Sequence, residues 1–588
     1  MNRFSSRSFW KLFVIALVTL NLFASGGNAA EWVRRDEFCV ALLEARGFPV
    51  KGLEKPAEAY KKAVDQDLVP VLGRPDGFLT RREMLRFAIQ SLHLNVEANL
   101  LQSSPLPFKD IAHLSRFEHG CLAVALSLEP KLIHSEKKFN PDRKVSSGEA
   151  KFWLQAIESA SKGMVLHVVL EEEKGLSFIV HRENALDRFV QWRTVMDGFE
   201  TREAAVSVAD SLRSGKHTVF VDNANYEWRI RSDLFDEKPK AQRLAALGRK
   251  MGANVRVLPY LPIVEATGGP RFWIALVLDP SRFVLEPLIS PNGVSTLAPL
   301  SAMTDSGVRG AVNGGFFTKS AQDKGFPIGT LMTRKRLINS PYQGRTCLGW
   351  SRMNTAAFGM VEWEGVLQHP ELGEQRISSI NRMSKADSIC LFTPEYGEST
   401  PATSRPMLEL LIRKGRCVER RNTPGPVPDG AFVLAGYGGG VETLAGVNVG
   451  DAVVIRQAIN AGDPDWNRCD SIIQAGPFIL RNGDIQRDNE NLSVGITERR
   501  HPRTVIGLTD KGRWMLWVGD GRNPIHSIGF TLDEAARLLR DYGVVYALNL
   551  DGGGSSEMIY RNRIVNLPSE GKERVVSYGV GVRSRLSK

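Results

Sequence analysis

The chain has 588 residues, 43% of them hydrophobic and 24% charged, with a formal net charge of +11. That length predicts two to four domains, and the ordinary apolar content argues against a disordered chain. The positive charge is not gathered into a basic tract with interleaved aromatics, so it suits anionic cell-wall polymers better than nucleic acid.

In chain order, Arg3, Arg7 and Lys11 precede an apolar stretch from Leu12 to Ala24, and the small-residue run Ser25-Gly26-Gly27-Asn28-Ala29-Ala30 follows. This pattern predicts a signal peptide over 1–30. The stretch is short for a membrane span of ~20 residues, and no later segment has the apolar length to cross. The expected protein is exported, periplasmic or cell-surface and cell-wall associated, with no transmembrane segment after signal cleavage. Cys39, Cys121, Cys347, Cys390, Cys417 and Cys469 include no CxxC pair, which argues against a structural zinc site. Disulfides and buried free thiols both stay open.

Residues 31–162 read as short amphipathic helices. Thr80, with Glu83 three residues on, marks a helix start, and Met84, Leu85, Ala88 and Leu92 recur at helical spacing. The cadence returns at Phe139-Asn140-Pro141-Asp142 through Ser147-Gly148-Glu149, after Phe108-Lys109-Asp110-Ile111 and a helix from Cys121 to Leu128. An internal repeat of this kind predicts stacked helical units. It resembles the S-layer homology module, a likeness that implies binding to cell-wall polysaccharide or peptidoglycan, with Arg81 and Arg82 as the basic contacts.

Residues 164–262 change character. Strands are expected at Val165–Leu170 and Leu176–Val180, then a helix over 201–213, a strand from Thr218 to Val221, and a second round from Trp228 through a helix at 238–250 to Val257. Two strand–helix–strand passes predict a small α+β sandwich. Gly198-Phe199 with Ala205 beyond it resembles the SPOR domain, which implies glycan binding.

From 263 to 588 strands dominate. Hairpins are expected for Phe272–Leu278 with Phe283–Leu288, and for Thr504–Leu508 with Trp514–Val518 across Asp510-Lys511-Gly512. Thr531 caps a helix to Tyr542 that Gly543 ends. Two apolar runs, Val308–Val312 and Val544–Leu550, lead into Asn313-Gly314-Gly315-Phe316-Phe317 and Asp551-Gly552-Gly553-Gly554-Ser555-Ser556-Glu557-Met558. A strand entering a glycine turn brings bare backbone close to a neighbour and aims its last side chain into a cleft.

These turns, with Gln474-Ala475-Gly476-Pro477 and Arg500-His501-Pro502-Arg503-Thr504 between them, resemble the phosphodiester glycosidase (uncovering-enzyme-like) family. The resemblance implies cleavage of a sugar-1-phosphodiester such as a GlcNAc-1-phosphodiester. That chemistry needs a carboxylate as nucleophile or base, donors for the anionic phosphate and a rigid sugar pocket. Asp551 is the first candidate carboxylate and Asp520 the second. Arg503 and Arg522 are candidate phosphate clamps. Asn313, Gly314, Gly315, Gly476, Gly552, Gly553, Ser555 and Ser556 are the expected substrate wall, and Glu557 is a weaker acid/base candidate. No cofactor is predicted, although Asp551, Asp520 and Asn313 offer oxygen ligands that leave Ca²⁺ or Mg²⁺ open.

The expected fold is multidomain α+β: N-terminal all-α repeat modules, a small α+β sandwich, and a C-terminal mixed-sheet α+β catalytic domain. The expected function is an exported, wall-associated hydrolase of sugar-1-phosphodiesters in an envelope glycan. A non-catalytic wall-polysaccharide-binding protein and a glycosyl-phosphate transferase stand as alternatives.

Overall fold

The computed structural model describes residues 32–585 apart from 51–52, 54, 135–136, 187–189, 225–226, 261–267, 319–324, 342–344, 354, 385–386, 461–462, 488–489 and 491. The signal-peptide reading over 1–30 lies outside the described residues. The fold is mixed α+β. The chain divides into two compact units. The first takes the chain up to Leu170, Ile179–Trp273 and Asp520–Gly529; the second takes Glu171–Phe178, Ile274–Gly519 and Phe530–Lys588.

In the first unit, helices α1 (Arg35–Ala45), α2 (Pro56–Asp65), α3 (Arg81–Ser91), α4 (Asn95–Leu100), α5 (Arg116–Ser127) and α6 (Ser147–Lys162) come first. The start of α3 is fixed as its sequence predicts: the Glu83 carboxylate accepts from the Thr80 N–H at 3.0 Å, and Met84, Leu85, Phe87, Ala88 and Ile89 are buried. Helix α5 begins five residues before the expected Cys121. Ser115 and Glu118 form a capping box there, the N–H of Ser115 reaching Glu118 at 2.8 Å. Asp110 ties the opening of the second repeat to its middle, accepting from the N–H groups of Phe139 (2.8 Å) and Asn140 (2.7 Å). Arg81 and Arg82, expected to be basic contacts for polymer, are instead paired with Glu149 (2.9 Å) and Asp142 (2.7 Å). Each guanidinium meets an acidic side chain of the following repeat.

The strands β1 (Val165–Glu173) and β2 (Leu176–Glu183) follow. Next comes a four-stranded sheet in the order Val219–Ala224, Glu227–Ser232, Gln191–Phe199, Asn254–Tyr260. Helices α7 (Arg202–Ser214) and α8 (Lys238–Lys250) supply Ala205, Ala209, Leu212 and Leu244 to its core, against Met196 and Ile230. Both helices lie where their apolar spacing places them. The strand Gln191–Phe199, absent from the sequence reading, is an inner one and pairs on both sides.

The second unit contains β3 (Val308–Asn313), β4 (Ser471–Gln474), β5 (Arg503–Thr509), α9 (Leu532–Asp541), β6 (Val544–Asn549), β7 (Met558–Tyr560) and β8 (Tyr578–Ser584). Strand β5 forms the expected hairpin with Trp514–Gly519, setting Val505 opposite Trp517, and β6 pairs on its other side with Ile506 opposite Leu548. In a separate sheet β3 lies between β7 and β8. The hairpin expected around Asp279 does not form. Phe283–Ile289 pairs with β8 instead. There Leu288 joins a core with Leu300, Val308 and Ala311, a burial that a two-stranded ribbon cannot offer.

A seven-stranded sheet centred on Met407–Arg413, Ala431–Tyr437 and Ser388–Phe392 packs Leu410, Ile412 and Leu434 into a core of its own. All six cysteines are buried free thiols, which settles the disulfide question in favour of none. Among the described residues no helix is long and apolar enough to cross a membrane.

Candidate functional site

The two glycine turns meet. Strand β3 ends on Asn313, and β6 delivers the chain to Asp551. Asn313 is buried, and its side-chain Nδ2 donates to the carbonyls of Asp551 (2.7 Å) and Gly314 (3.1 Å). Its Oδ1 accepts from Thr504 Oγ1 at 2.7 Å and from the Glu557 N–H at 3.2 Å. The Asp551 N–H in turn donates to Gly314 O at 3.1 Å. The carboxamide expected to bind sugar or phosphate is therefore spent inside the protein. Asn313 is the pin that sets the Asp551 turn against the end of β3.

The glycines serve packing more than ligand approach. A Cβ on Gly314 would lie 2.4 Å from the Tyr578 ring, and one on Gly315 would lie 2.4 Å from the Gln474 carbonyl oxygen. The Gly314 N–H goes to Tyr578 O (2.8 Å) and the Gly553 N–H to Pro502 O (2.9 Å), so these two are not the bare donors the sequence suggests. A Cβ on Gly552 would stand 2.9 Å from Pro502 O, and Ser555 Oγ accepts from Arg574 at 3.3 Å. Gly476 donates to Asn549 O at 2.8 Å, and a Cβ there would meet the Glu490 carboxylate.

Two further candidates turn inward, and a third lies at the surface. Arg503 is almost fully buried and donates to the carbonyls of Phe530 (3.0 Å), Ile496 (2.6 Å) and Arg499 (2.9 Å), so it organises loops. Asp520 belongs to the first unit, where it accepts from His526 Nε2 at 2.9 Å. Its neighbours there are the buried Arg182 and Glu97, themselves 3.3 Å apart. A buried network of ion pairs of this kind is structural in character, although Glu97 Oε2 has no hydrogen-bond partner among the described residues. Arg522 is exposed and also falls within the first unit, with a left-handed φ of 61°.

Around the Asp551 turn stand polar groups of another kind. Asp551 itself is half-buried, and its charge bears on Tyr578, whose hydroxyl donates to Gln474 O at 2.9 Å. Gln474 Oε1, Asn549 Oδ1, Ser556 Oγ and Arg345 Nη1 are buried atoms with no hydrogen-bond partner among the described residues. Buried polar atoms are ordinarily paired, and these four orphans lie on segments beside the two glycine turns. The Arg345 guanidinium lies over the Phe316 ring, 5.3 Å from its centroid, beside the first glycine turn. Sequence reading passed over Arg345, Gln474 and Tyr578. Gln474 was within reach, because it immediately precedes the Ala475-Gly476-Pro477 turn that was read.

Glu557 is buried three residues beyond the glycines. Burial pushes its carboxyl up to about 9, and the hydrogen bond and charge of Glu573 add to the shift. Glu573 is held by Ser301, whose N–H and hydroxyl both donate to it at 2.6 Å. Glu557 is thus a neutral acid at physiological pH. A carboxyl raised in this way stabilises the fold fully below its unfolded value of 4.5 and loses that contribution as pH climbs toward 9. The unfolding midpoint is expected to fall across that window, and Glu557→Gln to flatten the fall. Equal pH slopes in denaturant titrations of the two proteins would show that Glu557 is not protonated.

Among the described residues no group of three or more His, Cys, Asp or Glu side chains is arranged to hold a metal. Of the three oxygen ligands considered from sequence, Asn313 is committed to the protein and Asp520 to the first unit's network.

Residues 408–583 match the family model described as phosphodiester glycosidase. This part of the chain is a phosphodiester glycosidase domain. The match takes in the Asp551 turn and leaves the Asn313 turn outside it, a narrower span than the expected 263–588. A mouse N-acetylglucosamine-1-phosphodiester alpha-N-acetylglucosaminidase is 30% identical over 105 residues, 16% of this chain and 20% of the mouse protein. An uncharacterized prophage-derived protein of Bacillus subtilis is 36% identical over 77 residues, 13% of this chain and 12% of its own length. The chain therefore spans a fifth or less of these relatives. A crystal structure of a Burkholderia pseudomallei protein shares the fold, with a TM-score of 0.51 at 21% identity, covering 71% of this chain and 96% of that one.

Proposed function

We propose that the phosphodiester glycosidase domain cleaves the bond between an anomeric carbon and a phosphodiester, with Asp551 as the carboxylate that attacks or activates water. The observation that carries this reading is the meeting of a half-buried Asp551 with unpartnered buried polar atoms at a turn inside the matched residues. Arg345 takes the place given to Arg503 in the sequence reading. Its guanidinium is oriented by Phe316 and keeps a buried N–H to offer a phosphate oxygen. A phosphodiester leaves as a stable anion, so the reaction asks for charge stabilisation more than for a strong acid. Glu557, being neutral, spends its one O–H on Glu573 and keeps an uncharged, unpartnered oxygen close to the turn.

The full-length chain is expected to release GlcNAc from a GlcNAc-α-1-phosphodiester. Arg345→Ala should raise KM at least about tenfold, in line with the loss of one charge-assisted hydrogen bond to substrate. Unchanged kinetics in Arg345→Ala would remove Arg345 from the site. No hydrolysis by the wild type, with saturable binding of the same diester, would favour the non-catalytic reading.

The exported, wall-associated setting is part of the same proposal. A cleft of about 380 Å³ in the helical region is lined by Arg81, Arg143, Glu149, His134, Phe152 and Trp153; both guanidiniums are paired with Glu149, so its aromatic and imidazole faces are what it offers a saccharide. Purified wall polysaccharide is expected to retain the full-length protein and to lose about half or more of it when Phe152, an exposed ring in that cleft, becomes Ala. Equal retention of the two proteins would place polymer binding elsewhere.

A further inference from the structure

Outside the glycosidase domain, the β1–β2 strands carry a pair of histidines that the proposed function does not use. His167 on β1 and His181 on β2 face each other with Nδ1 3.3 Å from Nδ1. Both lie in the first unit. The far nitrogen of His181, Nε2, is 3.2 Å from Glu183 Oε1. A carboxylate only accepts, so Nε2 carries the proton and the Nδ1 of a neutral His181 presents a lone pair to His167. Glu183 is kept ionised by its hydrogen bond with His181 and by Arg271, whose Nη2 is 2.6 Å from Glu183 Oε2. The His181 ring is further fixed by stacking on Trp273, 4.8 Å between centroids.

Two imidazole nitrogens bound to one tetrahedral zinc ion at about 2.0–2.1 Å are separated by about 3.3–3.4 Å. The observed separation matches that edge. The carboxylate behind His181 is the outer partner that metal-bound histidines commonly have, fixing tautomer and ring orientation. We propose that His167 and His181 are the two protein ligands of a site for a borderline divalent metal ion such as Zn²⁺, with Glu183 as the positioning residue behind His181. Water completes the coordination, in keeping with the lack of a three-ligand cluster among the described residues. Without metal, His167 Nδ1–H donates to His181 Nδ1. On binding, that proton moves to His167 Nε2 through solvent, which exposed His167 can reach, and no net proton is lost.

The test is calorimetric titration of the untagged, chelator-treated full-length protein with zinc chloride. One saturable equivalent is expected. His167→Ala, a change at an exposed strand position, should weaken it at least tenfold, and Glu183→Gln should weaken it by about ten- to hundredfold. Far-ultraviolet circular dichroism checks that each variant keeps its fold. Absence of a saturable equivalent in the wild type would overturn the proposal, and so would zinc binding that His167→Ala leaves intact. Because the readout is binding of the metal alone, either result stands apart from the hydrolysis assay.

Discussion

Asp551→Asn is expected to cut turnover of a sugar-1-phosphodiester by about 10²–10⁴-fold while leaving substrate affinity within a few-fold, the range for losing a positioned catalytic carboxylate. The substitution is close in shape, and two hydrogen bonds that anchor this position use the backbone: the N–H to Gly314 O and the carbonyl from Asn313 Nδ2. A steady-state assay with the full-length protein separates the cases. A fall in kcat with little change in KM places Asp551 in the chemical step. An unchanged kcat removes it from the mechanism and leaves Glu557 as the nearest carboxyl beyond the turn. The full chain is the right material, because Asp520–Gly529 groups with the first unit.

The second large effect falls on stability and concerns a residue whose role the sequence misassigned. Asn313→Ala should destabilise the second unit by about 3 kcal/mol or more. It leaves the Thr504 hydroxyl, the Glu557 N–H and the Asp551 carbonyl without their partner in a buried place, and an unsatisfied buried group costs about 1–3 kcal/mol. Such a value lies at the diagnostic end of single-residue effects. Denaturant unfolding followed by circular dichroism reads it directly. A loss below about 1 kcal/mol would mean that Asn313 is not the pin between the turns. Activity should fall too, because Asp551 then loses its seat.

Local signals carried much of the fold. Thr80 with Glu83, and Thr531 with Glu534, mark real helix starts, because a capping box needs only residues three apart. The Asp510–Gly512 turn gave the β5 hairpin, since a tight turn between two adjacent strands sets their register. The Asp279 turn looks similar, yet its strands part into different company. A turn cannot say whether its strands pair with each other or each finds a better apolar face.

The candidate site divides along the same line. The sequence by itself determined that two strands end in glycine turns, that each carries a polar residue, and that residues 408–583 match a phosphodiester glycosidase. These follow from chain-local patterns and from the order of short motifs. Only the tertiary structure decided which polar groups face a guest and which face the protein. Asn313, Arg503 and Asp520 have the chemistry of site residues, but partners brought from as far as 244, 27 and six positions away respectively consume them. Arg345 lies in no distinctive motif and Gln474 at the edge of one, and both keep buried polar atoms unpaired. A side chain's free hydrogen-bonding capacity is a balance over all its neighbours in space, and that balance exists only once the chain has folded.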